Sequence, residues 1–186
     1  AQSIESMLSK KSTLKSVSYA TKSLKLSLDN YLDHLNKPNL DNTFKMCLAA
    51  NYSGKAISIS KTIAPHALSY PFTSNFGINH GHAVSLTLND FLKFNFNNLK
   101  HADCNFNLKQ RYKTLFNLTK SSNINDLDLF IKNIKKKAKL EDNFQKLNIN
   151  IKERMPIILS GVNEQRLSNN PVKLKISDLK SILLRK

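Results

Sequence analysis

The sequence predicts an all-α domain, and three observations lead to it. Apolar residues recur at helical spacings of three and four along most of the chain. Only four glycines and five prolines punctuate 186 residues, too few for a many-stranded sandwich or barrel, which needs a turn about every ten residues. With 40% hydrophobic residues the chain can bury one respectable core, so a single domain over 1–186 is expected.

Residues 1–9 read as the tail of a helix, with Ile4, Met7 and Leu8 at helical spacing. A second helix follows Ser12, its expected N-cap, and carries Leu14, Val17, Leu24, Leu28, Tyr31 and Leu35 up to Lys37-Pro38. Asp41 is expected to cap a third, with Phe44 and Leu48, in which Gly54 would permit close approach of another backbone. Pro65 suits the first turn of a short helix bearing His66 and Leu68, and Pro71 is expected to stop it. A loop over 72–79 containing Gly77 leads into a long apolar helix from about His80 to Asn95, whose Ala83, Val84, Leu86, Leu88 and Phe91 mark it as central and buried. Helices over 108–118, 124–137 and 163–167 follow, and Ser177 is read as the cap of a last helix over 178–184.

The formal net charge is +16. Such a balance allows an anionic partner, but the basic residues are spread along the chain. Their one dense run, Lys132 to Lys139, reads as a solvated helix face. A basic α-helical nucleic-acid-binding module with structural histidines is therefore the alternative reading, and nucleic acid is the less favoured partner. Cys47 and Cys104 make no disulfide framework and are expected as buried structural thiols in a reducing cytoplasm. No apolar run is long enough to span a membrane.

The chemistry concentrates between Ala64 and His82. His66 and His80 stand fourteen positions apart around the Pro71 and Gly77 punctuation. Neutral imidazole is the commonest transition-metal ligand, so the pair reads as half of a metal site. His82 would point away on the same helix, and no histidine follows His101.

The stretch from Gly54-Lys-Ala-Ile through His66 to Asn79-His80-Gly81 resembles the ligand region of iron-containing alcohol dehydrogenases, whose fold also houses dehydroquinate synthase. The wording Ala64-Pro-His-Ala-Leu-Ser-Tyr-Pro-Phe-Thr73 and Gly77-Ile-Asn-His-Gly-His-Ala-Val-Ser-Leu-Thr87 is similar to the branch containing phosphonoacetaldehyde reductases. Asn169-Asn-Pro-Val-Lys-Leu174 resembles the family's closing Asn-Pro-Arg-Pro-Leu. The resemblance implies a multi-helix C-terminal, metal-binding domain, with the N-terminal nucleotide-binding domain absent from this chain.

In the family an Asp-Ala-x-x-His-Ala-Ile-Glu motif supplies two ligands. Ala1-Gln-Ser-Ile-Glu-Ser6 matches its end, which puts Gln2 at a His-ligand position and the Asp before Ala1. The resemblance thus implies Fe2+ or Zn2+ held by His66 and His80, with Gln2 a weaker oxygen donor. Tyr70 falls where many members have a second His near the substrate, giving it a polar or proton-relay role. Lys61 and Thr62, one turn before His66, are placed to meet an anionic substrate group. The implied activity is NAD(P)-dependent reduction of a small aldehyde, or oxidation of an alcohol, with a phosphonate-bearing substrate included. The isolated chain is expected to be inactive, and homo-oligomerisation is left open.

Overall fold

Helix α5 (His80–Asn97) is the axis on which the rest of the chain is assembled. In this computed structural model, which describes residues 1–185, it follows α1 (Gln2–Leu8), α2 (Leu14–Asn36), α3 (Leu40–Ser60) and α4 (Ala64–Phe76). After a 3-10 turn at Leu99–His101 come α6 (Leu108–Thr119), α7 (Ile124–Lys137), α8 (Ile151–Ser160), α9 (Glu164–Leu167) and α10 (Ile176–Leu184). Among the described residues there is no strand, only an isolated bridge between Ala102 and Val172. Among these described residues no helix is long and apolar enough to cross a membrane.

Two apolar clusters flank α5. Leu88 and Leu92 join one with α1, α2, α3, α6 and α7, while Ala83, Leu86 and Phe91 join the other with α4, α8 and α10. A helix that buries side chains on both sides carries apolar residues on more than one face, and here Thr87, Asn89 and Asn95 are buried along with them.

The α1–α2–α3 layer is packed through hydroxyls as well as methyls. Ser3 donates to Ser23 Oγ (2.8 Å), which donates to the Ala49 carbonyl (2.7 Å). Ser60 donates to Ser6 Oγ (2.7 Å), and Ser9 donates to the Ser60 carbonyl (2.6 Å). Small side chains let the helices approach, and each of these five hydroxyls has a partner, although the buried Ser12 hydroxyl between α1 and α2 has none.

Pro71 does not stop its helix. It lies inside α4, which runs on to Gly77, where a left-handed conformation (φ 65°, ψ 16°) ends it. An interior proline orphans the carbonyl four residues back, here that of Ala67. The backbone N–H of Asn163 donates to that oxygen at 3.2 Å. The tertiary fold thus repairs the break, and the expected 72–79 loop shrinks to residues 77–79.

Other expectations are corrected in the same way. The caps are Thr13, Asn39 and Lys175, not Ser12, Asp41 and Ser177. Thr13 and Asn39 win because each forms a capping box with the residue three positions on, Ser16 and Asn42. Gly54 is exposed and nothing lies within 4 Å of the Cβ it lacks, so no backbone packs there. Cys47 is exposed and Cys104 half-buried, so neither is the buried thiol expected. Helix α8 occupies a stretch where no element was expected.

Candidate active site

The site is built where α1, α4 and the start of α5 meet. Glu5, on the buried face of α1, is fully enclosed. Its Oε2 accepts the backbone N–H of Ile63 (2.9 Å) and, more weakly, that of His66 (3.4 Å). Its Oε1 accepts from His66 Nδ1 at 2.5 Å. A buried carboxylate is tolerable only when its lone pairs are engaged in this way. One consequence is a fixed ring orientation, because a carboxylate can only accept and His66 Nδ1 must carry the proton of that bond.

His80, at the exposed N-terminal end of α5, is tethered on the same side of its ring. Ser69 Oγ gives its single proton to the His66 carbonyl (2.8 Å) and so acts as acceptor toward His80 Nδ1, 3.4 Å away. The two ring centroids are 5.3 Å apart at 71°. Burial, then the neighbouring His66 ring and Arg166, hold the His80 imidazole below its ordinary pKa, with Glu5 pulling the other way. In each ring Nδ1 is engaged by a neighbour, which leaves Nε2 as the nitrogen available to a ligand.

These rings line an open cleft of about 360 Å³ together with Gln2, Ser53, Gly81 and Val84. A larger groove, about 570 Å³, lies between the 144–152 segment and α10, but it holds no imidazole, carboxylate or thiol. The donor-bearing cleft is the candidate site.

Gln2, His66 and His80 come together as expected, and Gln2 Oε1 accepts from Ser53 Oγ (2.6 Å). Tyr70 lies beside them, its ring centroid 5.7 Å from that of His80. Thr62 is buried and accepts from Arg166 Nη1 (2.6 Å), whereas Lys61 is exposed and its Nζ donates to the Ser58 carbonyl (3.1 Å). His82 points elsewhere, with Nε2 2.6 Å from the Glu141 carbonyl.

The donor set fits a divalent cation in part. Two oriented imidazoles and one neutral amide oxygen converge, while among the described residues no group of three His, Cys, Asp or Glu side chains surrounds a common point. Catalytic zinc takes three protein ligands, so His66 and His80 suit a metal without completing its shell.

Glu5 and Arg166 were missed by sequence reasoning. Glu5 stands three residues after Gln2, hence on one helix face with it, and closes the quoted motif, a signal that was available. Nothing local marks Arg166.

Residues 2–186 match the Fe-containing alcohol dehydrogenase family, C-terminal domain. The chain belongs to this family. It is 35% identical over 96 residues to the phosphonoacetaldehyde reductase of Streptomyces viridochromogenes, a match covering 50% of this chain and 24% of that protein. Its fold superposes with TM-score 0.82 on the sulfoacetaldehyde reductase of Bifidobacterium kashiwanohense, solved with NAD+, at 24% identity over 99% of this chain and 46% of that one. An archaeal halo-thermophilic alcohol dehydrogenase from a Red Sea brine pool gives TM-score 0.87 at 19% identity, over 99% and 47%. The chain thus spans less than half the length of each of these proteins. The comparisons lend no support to the nucleic-acid-binding alternative.

Proposed function

We propose that the chain is the metal-binding domain of an NAD(P)-dependent alcohol dehydrogenase or aldehyde reductase acting on a small aldehyde. The observation that carries this reading is the pairing of two imidazoles, 5.3 Å apart in one cleft, one of them oriented by a buried glutamate. The phosphonoacetaldehyde and sulfoacetaldehyde reductases among the family members support the aldehyde.

In this reading His66 and His80 hold a divalent metal, iron or zinc, with the Gln2 amide as a weak further donor. When bound, the metal polarises a carbonyl as a Lewis acid. Glu5 keeps His66 in the metal-binding tautomer, and Ser69 does the same for His80. Tyr70, packed against His80, is the polar side chain assigned to the substrate oxygen. In this reading the nicotinamide is bound by a nucleotide-binding domain of the parent enzyme. By itself the 186-residue chain turns over no aldehyde.

Titration of the purified chain with Zn2+ tests the site. Saturable binding is expected, abolished in His66→Ala and in His80→Ala. Equal binding by a folded double variant would sink the reading.

A further inference from the structure

Arg166 is a cation anchored beside the histidine pair, and among the described residues no carboxylate pairs with it. Helix α9 brings it there, Asn163 capping that helix by accepting from the Arg166 backbone N–H at 2.9 Å. Nη1 donates to the hydroxyl of Thr62 at 2.6 Å. Thr62 is itself buried, and its carbonyl accepts from the buried Asn169 side chain at 3.1 Å. The guanidinium carbon sits 5.6 Å from the centroid of the Tyr70 ring, within cation–π range. Tyr70 in turn touches His80.

A guanidinium has five N–H donors. The bond to Thr62 is the one side-chain hydrogen bond this group makes among the described residues, and no carboxylate there pairs with it. Several lysines show the contrast. Lys10 pairs with Asp103, Lys45 with Asp41, and Lys93 and Lys132 with Asp128. The carboxylate nearest the histidines, Glu5, is already engaged by His66. A planar cation locked in place and left with donors to spare is suited to a tetrahedral oxyanion, which it can bind through two parallel bonds.

We propose that Arg166 is the anion-recognition residue of this site, binding the phosphonate or sulfonate group of a short aldehyde substrate. The proposal rests on the aldehyde reading above and replaces Lys61 as the expected charge partner. Thr62 acts through Arg166 by orienting it, and Tyr70 supplies the stacking face.

The test uses the intact 186-residue chain in phosphate-free buffer, with methylphosphonate and methanesulfonate as probes and n-propanol as the neutral control. Binding is read by calorimetry and by the ring resonances of Tyr70 and His80. Wild-type protein is expected to saturate with at least one anion, and the tighter probe names the group. Arg166→Ala should weaken that binding roughly tenfold to a hundredfold. Arg166→Lys should restore part of it, and Lys61→Ala should leave it unchanged. The propanol response should be the same in every variant, and circular dichroism should show each one folded. No saturable anion response in wild type, equal affinity in a folded Arg166→Ala, or a loss that follows Lys61 instead would overturn the proposal. Zinc titration separates the two readings. A chain that binds Zn2+ but ignores Arg166 defeats this inference alone, and Arg166-dependent anion binding without Zn2+ defeats the metal reading alone.

Discussion

Replacing Gly161 with alanine adds a methyl group where α8 ends against the proline of α4. The new Cβ would stand 2.9 Å from Pro71 Cβ, 3.5 Å from Pro71 Cα and 3.4 Å from the Ile157 carbonyl oxygen. A proline ring inside a helix cannot swing aside as a flexible side chain would, so the backbone must give. Overpacking of this kind costs about 1–3 kcal/mol. Gly161 has φ −87°, which alanine adopts freely, and the lost chain entropy of glycine returns about 0.4–1 kcal/mol. The net loss is about 1–2 kcal/mol, or a fall in Tm of roughly 2–8 °C for a chain of this size. Displacing this segment also pulls on Asn163, two residues on, whose N–H satisfies the carbonyl that Pro71 orphans. Gly54→Ala and Gly81→Ala are the controls, since nothing lies within 4 Å of either missing Cβ. Both should be neutral or gain up to about 1 kcal/mol. Thermal unfolding of the three variants in parallel decides the matter. Should Gly161→Ala match or exceed wild type, the contact with Pro71 is not what requires glycine there.

The other predictions concern charge and strain. Glu5→Ala strips the acceptor from His66 Nδ1 and from the Ile63 N–H, so denaturant unfolding should show a loss of about 3 kcal/mol. Nitrogen NMR should also show the His66 proton no longer confined to Nδ1, and an unchanged tautomer refutes the orienting role. Burial pushes the Asp128 carboxyl up, but hydrogen bonds from Lys93, Lys132 and Asn89 outweigh it and hold the group below the usual carboxylate range. Its stabilisation is therefore complete above the unfolded-state pKa of about 3.9 and is lost as pH falls through the lower folded value. Asp128→Asn should cost about 1–2 kcal/mol near neutrality, because both lysines keep solvent contact. The gap to wild type should close in acid, and a gap independent of pH contradicts the assignment. Lys61 is held at φ 62°, ψ 176°, a region close to glycine-only that costs about 1–3 kcal/mol. Lys61→Gly should therefore raise stability by about 1 kcal/mol after its own entropy cost, and a lower Tm shows that the lysine side chain earns its place.

Helix α5 was legible in the sequence because its signal is local. Ala83, Val84, Leu86, Leu88 and Phe91 announce a central, buried helix, and the fold adds that Leu88 and Leu92 pack to one side while Ala83, Leu86 and Phe91 pack to the other. Helix α4 was misread for the converse reason. A proline at 71 breaks a helix unless something distant accepts the damage, and Asn163 and Gly161 lie about ninety residues away. Cap positions slipped by one or two residues, since Thr13 and Asn39 compete with equally plausible neighbours until a capping box forms. Cys47 misled because a thiol's type says little about which face of α3 it occupies.

The histidine pair shows where the boundary falls. Its spacing and its resemblance to iron-containing alcohol dehydrogenases came from residues within one stretch, and the sequence by itself determined the helical fold class and the family and singled out these two histidines. Tertiary structure alone decided that Glu5 orients His66 across sixty-one positions and that Arg166 reaches Thr62 across one hundred and four. Helix periodicity and capping depend on hydrogen bonds spanning three or four residues, so a linear reading contains them. Which carboxylate meets which imidazole depends on how whole helices pack, and no local pattern records that.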